Sequence, residues 1–418
     1  MVPTARTGRD APCPSADGTP ALPGDAPTLA SYLSAYAPKG LSSKAQGRSH
    51  KARPTLGFAT QPLRGKKTDA SGRAMRSLFN LAVLLLLPLS ACSLFEPEPA
   101  TATFKTMGTR AAVTLAGLEN EKLAKAAVDA ERLMAALEAE LSIYRADSVV
   151  SRLNSLAGVR PMEVPEHTRR LLEISIKYGD LTSGAFDVTL GPVVGLWRPK
   201  PGQTPSLPTE DALQEKLALV NFRNIKVQGS EAFLPTPGMR VDLGGIAKGY
   251  AVDLAWQALR RRGAVNFMFD LGGNIRVSGK AGSGLPWSIA VRSPFDTSRN
   301  LANVAMPDGW AVATSGQYER FVEIEGRRYG HIIDPRTGYP AAGLAGVTVF
   351  AREATMTDGL STALFVLGPQ KSVPVLRKTG AEAIFIPDKE PPELWVTPGI
   401  QSRLSLLEEA KVTLLPGW

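Results

Sequence analysis

Helix-like and strand-like patterns alternate irregularly after Phe104, and this irregular order is the feature that most constrains the fold. Apolar residues recur at helical spacing between Leu118 and Leu141, with charged residues on the other face, which predicts an amphipathic helix. Two further helices are predicted, and the strand-like runs lie at 109–117, 265–269, 275–278, 287–291, 311–313 and 347–350. This order favours one α+β layered domain over 104–418 rather than a doubly wound nucleotide-binding fold.

The two other predicted helices span 166–178 and a segment that starts within GGIAKGY and ends at Gly263 as its C-cap. No GxGxxG follows a predicted strand, and no GxxxxGK[ST] is present, so the sequence lacks the common nucleotide-binding loops.

The positive net charge of the chain is confined to its N-terminal part. The first 91 residues hold 12 of the 48 Lys and Arg and 4 of the 39 Asp and Glu, which leaves a nearly balanced 36 and 35 for the rest. Because the body carries no basic stripe with interleaved aromatic residues, we expect no nucleic-acid partner.

A lipid-anchor signal is predicted before Cys92, one of only two cysteines in the chain. Residues 75–91 have a basic start, a short apolar run and the small residues of LSAC, which resembles a bacterial lipoprotein signal peptide. We expect cleavage before Cys92 and lipid attachment to that residue, which implies a periplasmic protein anchored to a membrane. The alternative is a buried or anchoring helix with an incidental cysteine.

The segments that flank this signal are predicted to be unstructured. Residues 1–74 are rich in Pro, Gly, Ser, Ala and Arg without an apolar period, which is typical of disorder or of a misassigned start codon. We favour translation from Met75. Residues 92–103, which contain FEPEPA, are then expected to form a short tether between the lipid and the folded domain.

The block DLGGIAKGYAVD, which starts at Asp242, places two glycines directly before a predicted helix. Exposed backbone N–H groups at a helix start can bind an anion, and the carbonyls of Gly244 and Gly245 can face a metal ion. The alternative is a tight strand-to-helix turn in which Lys248 is merely solvated.

The block MTDGLSTALFVLG places Asp358 and Thr362 four residues apart, and therefore on one face of a helix. A carboxylate and a hydroxyl in this arrangement are oxygen ligands that suit Mg²⁺. Alternatively, the aspartate caps its own helix and the threonine bonds back to the helix backbone.

The block HIIDPRTGYP contains His331, whose imidazole can transfer a proton near neutral pH. A structural histidine bonded to a turn is the alternative. His167 lies among charged residues and is predicted to be a surface residue without a role. The aromatic residues Tyr144, Phe186 and Trp197 lie near glycine turns, where they either stack on a planar ligand or belong to the core.

Eight blocks, taken in order, resemble the motif series of the ApbE family, the FAD:protein FMN transferases. They are TFKTMGT, SIYRADSVVSRLN, GAFDVTLGPVVGLW, DLGGIAKGY, DLGGNIRVSG, ATSGQYERF, HIIDPRTGYP and TDGLSTALFVLG. The resemblance implies a single ApbE-like domain with mixed sheets and flanking helices. It also implies an Mg²⁺-dependent enzyme that takes FAD, attaches FMN to a threonine of a partner protein and releases AMP.

The resemblance further implies a role for individual residues. Tyr144 would stack on the flavin, and His331 would lie beside the pyrophosphate. The implied nucleotide contacts are Met107, Ala185, Phe186, Asp187, Asp242 and Lys248, and the implied metal ligands are the Gly245 carbonyl, Asp358 and Thr362. His331 and Asp358 are the expected catalytic residues, although a nearby carboxylate remains an alternative to His331 as the general base.

The implied acceptors are flavoproteins of the sodium-translocating NADH:quinone reductase or Rnf type. Two other functions use nearly the same residues. One is an Mg²⁺-dependent FAD pyrophosphatase, in which water replaces the threonine. The other is a non-enzymatic periplasmic flavin carrier, which the paired Asp358 and Thr362 argue against because flavin storage needs no metal ion.

Overall fold

The computed structural model describes residues 99–117, 120–198, 204–282, 284–318 and 320–418. The described residues belong to one compact unit. The N-terminal extension, the predicted signal peptide, Cys92 and the tether up to residue 98 lie outside these ranges. Within them, no helix combines the length and the apolar content that crossing a membrane requires.

Strands supply most of the described elements. In chain order they are β1 (Ala100–Thr106), β2 (Thr109–Leu115), β3 (Met162–Glu163), β4 (Lys226–Gln228), β5 (Glu231–Phe233), β6 (Phe267–Leu271), β7 (Asn274–Ser278), β8 (Ser288–Arg292), β9 (Asn300–Ala305), β10 (Ala311–Gly316), β11 (Phe321–Ile324), β12 (Arg327–Gly330), β13 (Leu344–Ala351), β14 (Glu382–Pro387), β15 (Glu393–Val396), β16 (Leu404–Leu406) and β17 (Lys411–Leu414).

The helices fall between these strands. They are α1 (Asn120–Leu141), α2 (Val149–Ser155), α3 (Glu166–Leu181), α4 (Gly191–Val194), α5 (Glu210–Leu217), α6 (Ala247–Arg261), α7 (Ala354–Leu367), α8 (Pro369–Thr379) and α9 (Pro398–Gln401), with a 3₁₀ turn at Phe222–Asn224. The three helices predicted from the sequence correspond to α1, α3 and α6.

A mixed sheet of nine strands organises the part of the chain that the structure describes. Its spatial order is β1-β2-β6-β7-β10-β13-β14-β15-β17. Neighbouring strands run antiparallel except β15 and β17, which are parallel. Three smaller sheets are formed by β16-β9-β8, β3-β5-β4 and the hairpin β11-β12. The predicted α+β class with mixed sheets and flanking helices is confirmed.

Apolar side chains cover both faces of the large sheet and create a layered core. Every residue of β13 is buried, which suits a central strand packed on both sides. Val347 and Val349 pack with Leu360 and Leu364 of α7 on the helical face. On the opposite face, Phe350 packs with residues of the small β8–β9 sheet. The helices, the large sheet and the small sheet are therefore three successive layers.

The folded domain begins before the boundary that the sequence suggested. Residues 100–103, assigned to the tether, are part of β1, and Ala100 pairs with Leu115 across an antiparallel ladder. The sequence had suggested a tether over 92–103 and a domain from Phe104. Pairing with β2, which is itself a clear strand, extends the order to Ala100.

Helices α6 and α7 cap each other. Neither helix has a side-chain cap at its own N-terminus. Asp358 of α7 accepts a hydrogen bond of 2.8 Å from the backbone N–H of Gly249 in the first turn of α6. Asp253 of α6 accepts bonds of 2.8 Å from the backbone N–H groups of Ala354 and Thr355 in the first turn of α7. Each carboxylate therefore satisfies donors that the other helix leaves unpaired, and each such cap contributes about 1 kcal/mol.

The two helices approach closely because residue 249 is glycine. A Cβ atom built on Gly249 would lie 2.6 Å from the Cβ of Asp358 and still closer to the carbonyl oxygen of Ala354. Any side chain at this position would force α6 and α7 apart and break both caps.

We predict that Gly249→Ala lowers the free energy of unfolding by about 1–3 kcal/mol, because the added methyl overpacks the helix contact. Alanine in a helix interior normally stabilises relative to glycine, so the predicted sign is opposite to the helix propensity. Gly245→Ala is the matched control, since a Cβ there would lie 3.4 Å from Phe186 and 3.5 Å from Thr362. Chemical denaturation measures the stability of the two variants. Equal stabilities would contradict the close contact between α6 and α7 at Gly249.

Candidate active site

The three implied metal ligands converge at the junction of α6 and α7. Gly245 ends the loop before α6, and an ideal Cβ on it would lie 3.5 Å from Thr362 Oγ1. Asp358 lies one turn before Thr362 on α7 and faces the start of α6 through its bond to Gly249. The structure therefore brings the backbone at Gly245 close to two side chains that lie more than 100 residues later in the sequence.

The geometry excludes both alternatives to a metal-binding role for Asp358 and Thr362, namely capping of their own helix and a bond back to its backbone. Asp358 lies inside α7 and does not cap its own helix; it accepts from Gly249 of α6. The hydroxyl of Thr362 makes no hydrogen bond within the described part of the chain, and in particular none back to its own helix. A half-buried hydroxyl without a partner beside a buried carboxylate is suited to bind a cation.

The carboxylate of Asp358 is 5% exposed and lies next to two polar side chains. Burial raises the pKa of Asp358, and the charge of Lys248 together with the N–H groups of the first turn of α6 opposes that rise. Lys248 Nζ lies 3.9 Å from Asp358 Oδ1, a long ion pair. Asn274 bridges them: with its amide oriented to satisfy both partners, its oxygen accepts from Lys248 Nζ at 2.7 Å and its nitrogen donates to Asp358 Oδ1 at 3.1 Å.

Asn274 is a site residue that sequence reasoning did not identify. It follows the second of two DLGG sequences in the chain, and in both of them the aspartate accepts from a nearby glycine N–H. Asp242 binds Gly244 N at 2.9 Å, and Asp270 binds Gly273 N at 2.8 Å. The available signal was the position of Asn274 directly after the second DLGG.

His331 directly follows β12. Its Nδ1 is 3.1 Å from the carbonyl oxygen of Arg320. A carbonyl oxygen can only accept, so Nδ1 carries the hydrogen and Nε2 presents its lone pair. The pKa of His331 lies below its ordinary value, mainly because the surrounding protein displaces water, and the positive charges of Arg320, Lys248 and Arg198 lower it further.

Tyr144, Arg198 and Asp242 form a group at the surface. The ring of Tyr144 is 77% exposed, as a side chain that stacks on a ligand requires. Arg198 lies over this ring, with its Cζ 5.4 Å from the ring centroid, and its Nη2 is 3.6 Å from Asp242 Oδ2. The guanidinium links the predicted flavin-stacking residue to the predicted adenosine and pyrophosphate region.

The segment Ala185–Asp187 presents no free side chain. Ala185 and Phe186 are each 3% exposed and belong to the core. The carboxylate of Asp187 accepts from Thr189 at 2.7 Å and from Phe222 N at 3.0 Å. Burial raises the pKa of Asp187, and these hydrogen bonds oppose the rise. A nucleotide contact from this segment would therefore involve its backbone.

Met107 occupies the turn between β1 and β2 with a positive φ of 46°. Its backbone N–H donates to Glu138 Oε2 at 3.0 Å, which holds the turn against α1. The turn lines a cavity of about 480 Å³ together with Lys105, Arg110 and Glu138.

Two other residues have structural contacts. Trp197 is 8% exposed, and its Nε1 donates to the Gly338 carbonyl at 2.8 Å, so it is a core residue. His167 was predicted to be a surface residue, but it is half-buried and its Nδ1 lies 2.8 Å from Tyr250 Oη. Charged residues beside it in sequence concealed this contact with α6.

The oxygen set at the helix junction fits Mg²⁺. The residues that the structure describes contain no group of three or more His, Cys, Asp or Glu side chains that holds a metal ion. The candidate set has one carboxylate, one hydroxyl and one backbone carbonyl, and Mg²⁺ commonly takes few protein ligands and completes its shell with water or phosphate oxygens. An unpartnered hydroxyl beside a buried carboxylate is the observation that supports this fit.

The chain is similar to known proteins over most of its described length. The model of the ApbE family matches residues 107–385, a range that contains all the candidate site residues. The FAD:protein FMN transferase of Vibrio cholerae is 34% identical over 313 residues, covering 73% of this chain and 91% of that protein. The FAD:protein FMN transferase of Escherichia coli K12 is 33% identical over 312 residues, covering 72% and 88%. A solved structure, the flavin transferase ApbE from Vibrio cholerae, matches with a TM-score of 0.66 and 31% identity, covering 73% of this chain and 99% of that one.

Proposed function

The chain belongs to the ApbE family, and from this membership we propose that it is an FAD:protein FMN transferase that attaches FMN to a threonine hydroxyl of an acceptor protein and releases AMP. The observation that carries the proposal is the convergence of Gly245, Asp358 and Thr362 at the start of α6. Relatives that cover most of this chain carry the same activity in their names.

The proposed reaction is a phosphoryl transfer that balances without a further reagent. The threonine oxygen forms a bond to the FMN phosphorus of FAD, and the bond from that phosphorus to the bridging oxygen breaks. AMP leaves with the bridging oxygen, and the threonine proton passes to a base. Such reactions depend mainly on positioning and on stabilising negative charge.

The chain supplies positive charge and oxygen ligands for this chemistry. Asp358, Thr362 and the Gly245 carbonyl would hold Mg²⁺, which when bound neutralises charge on the pyrophosphate oxygens. Lys248 adds a cation 3.9 Å from Asp358. The N–H of Gly249 already donates to Asp358 and is not available to a phosphate. The start of α6 would therefore bind phosphate through the Lys248 side chain and the loop before the helix.

His331 is the proposed general base. Its Nε2 carries the free lone pair, because Nδ1 donates to the Arg320 carbonyl. Its lowered pKa keeps the ring neutral at pH 7, so it can accept the threonine proton. The ring also faces the charges of Lys248 and Arg198, as a group beside a pyrophosphate should.

We also propose that the mature protein is anchored by lipid on Cys92 and acts in the periplasm on flavoproteins of the sodium-translocating NADH:quinone reductase or Rnf type. The support is the signal-like segment 75–91 with its LSAC sequence. A lipid anchor keeps the enzyme close to membrane-bound acceptors.

We predict that Asp358→Asn abolishes FMN attachment. Asparagine keeps an oxygen that accepts from Gly249 N–H, so the helix cap survives while the negative charge is lost. The measurement is the intact mass of an acceptor after incubation with FAD, Mg²⁺ and the variant. Asp296→Asn, at an exposed aspartate of the β8–β9 connection, is the matched control and should label normally.

Two outcomes would oppose this function. Normal labelling by Asp358→Asn would show that the Asp358 carboxylate is not a metal ligand. Release of AMP from FAD at the same rate with and without acceptor, with no change in acceptor mass, would identify a pyrophosphatase.

We predict that His331→Asn slows transfer by roughly 10²–10⁴ while FAD still binds, because the proton acceptor is lost. Since the pKa of His331 is lowered, the wild-type rate should fall on acidification only below the ordinary histidine pKa of about 6.5. That acidic limb should be absent in the variant. Single-turnover rates between about pH 5 and 8 test this, with His167→Asn as a control that should keep the limb.

We predict that Cys92→Ser releases the protein from the membrane fraction and prevents incorporation of labelled fatty acid, because serine offers no thiol for lipid transfer. The folded domain begins at Ala100, so the purified variant should still label an acceptor in solution. Retention of the variant in the membrane would instead favour an anchoring helix over 75–91.

A further inference from the structure

We propose that Asn274 is a positioning residue that holds Lys248 away from Asp358 and thereby keeps the Asp358 carboxylate available to a divalent cation. This inference rests on the function proposed above, because the Asn274 amide has this role only if Asp358 binds a metal ion. It concerns a residue to which neither the sequence analysis nor the proposed reaction gave a role.

Asn274 has the location of a spacer. It begins β7 directly after the turn at Gly272 and Gly273, and it is 3% exposed. One end of its amide accepts from Lys248 at 2.7 Å, and the other donates to Asp358 at 3.1 Å. The amide therefore bonds to both members of a cation–anion pair whose atoms lie 3.9 Å apart, a separation longer than that of a direct hydrogen bond.

The hairpin itself does not require this amide. Asn274 pairs with Leu271 through the β6–β7 ladder, and the turn is closed by Gly273 N–H on Asp270 at 2.8 Å. The backbone of residue 274 is satisfied by these contacts, so the amide is free to serve the two charged side chains.

Removing the amide should allow a direct ion pair. Lysine has a flexible stem and a compact charge, and a buried carboxylate attracts it strongly. Without Asn274, Lys248 loses its 2.7 Å acceptor and the nearest replacement is Asp358. A divalent cation would then have to displace the ammonium group, and its apparent affinity would fall.

The contrast with Asp253 supports this view. Asp253 is bound directly by Arg276 at 2.6 Å and also accepts from Ala354, Thr355 and the Thr355 hydroxyl. Its oxygens are fully used in structure. Asp358 accepts from the backbone N–H groups of Gly249 and Lys248 and from the Asn274 amide, and the Lys248 ammonium nitrogen lies 3.9 Å from its Oδ1. The two carboxylates cap helices in the same way, but only Asp358 keeps capacity for another ligand.

The test is a double-mutant cycle read by metal binding. Mn²⁺ would be titrated into the protein with saturating FAD, and free Mn²⁺ followed by electron paramagnetic resonance. The variants are Asn274→Leu, Lys248→Met and the double variant. Asn266→Leu is the matched control, because the Asn266 amide accepts from Lys280 N at 3.0 Å at the opposite end of the same hairpin.

We expect Asn274→Leu to weaken Mn²⁺ binding by about 10- to 100-fold, the value of a lost hydrogen bond to a charged group. In the Lys248→Met background the same change should weaken binding by less than about threefold, since the competing ammonium group is gone. Asn266→Leu should leave Mn²⁺ affinity unchanged. If Asn274→Leu does not fold, Asn274→Ser, which is smaller and still polar, replaces it in the cycle.

Two results would overturn the inference while leaving the proposed function intact. One is unchanged Mn²⁺ affinity in Asn274→Leu when the wild type binds Mn²⁺ and labels an acceptor. The other is an equal loss of affinity with and without Lys248, which would assign the amide to the shape of the site rather than to charge separation. A wild type that binds no Mn²⁺ would instead overturn both the metal site and this inference.

Discussion

The mutual capping of α6 and α7 is the constraint on which the rest of the site depends. Two buried carboxylates, Asp253 and Asp358, each bind the first turn of the other helix. The arrangement is possible only because Gly249 lets the backbones approach. Since each cap fixes the position of the helix that carries the other, neither helix can shift without unpairing buried N–H groups, which costs about 1–3 kcal/mol for each group.

The same constraint creates the chemistry. Fixing the start of α6 against the middle of α7 places Gly245 beside Thr362 and brings Lys248 within 3.9 Å of Asp358. A residue that stabilises the fold is therefore also the proposed metal ligand. This dual use explains why Asp358 should be replaced by an amide rather than by alanine: truncation would remove the cap and the charge together, and a loss of activity would have two causes.

Periodicity and spacing predicted what is local. Helix α1 follows from an apolar repeat, the end of α6 follows from its C-cap glycine, and the pairing of Asp358 with Thr362 follows from a separation of one helical turn. The contacts that the sequence could not reveal are long-range. Asn274 meets Asp358 across 84 positions, and His167 meets Tyr250 across 83. Strand β1 is formed by pairing with β2, and the composition of residues 100–103 alone does not indicate that pairing.

Charge in this protein acts locally rather than globally. Beyond residue 91 the chain carries 36 Lys and Arg against 35 Asp and Glu, so no net field attracts polyanions. Yet the positive charges of Lys248, Arg198 and Arg320 all lower the pKa of His331. The pyrophosphate of the proposed substrate is a compact anion, and charges within the screening length of about 8–10 Å act on it most strongly. Displacement of water by the surrounding protein, with a smaller contribution from these cations, lowers the pKa of His331, and the proton transfer proposed for this histidine requires a neutral ring.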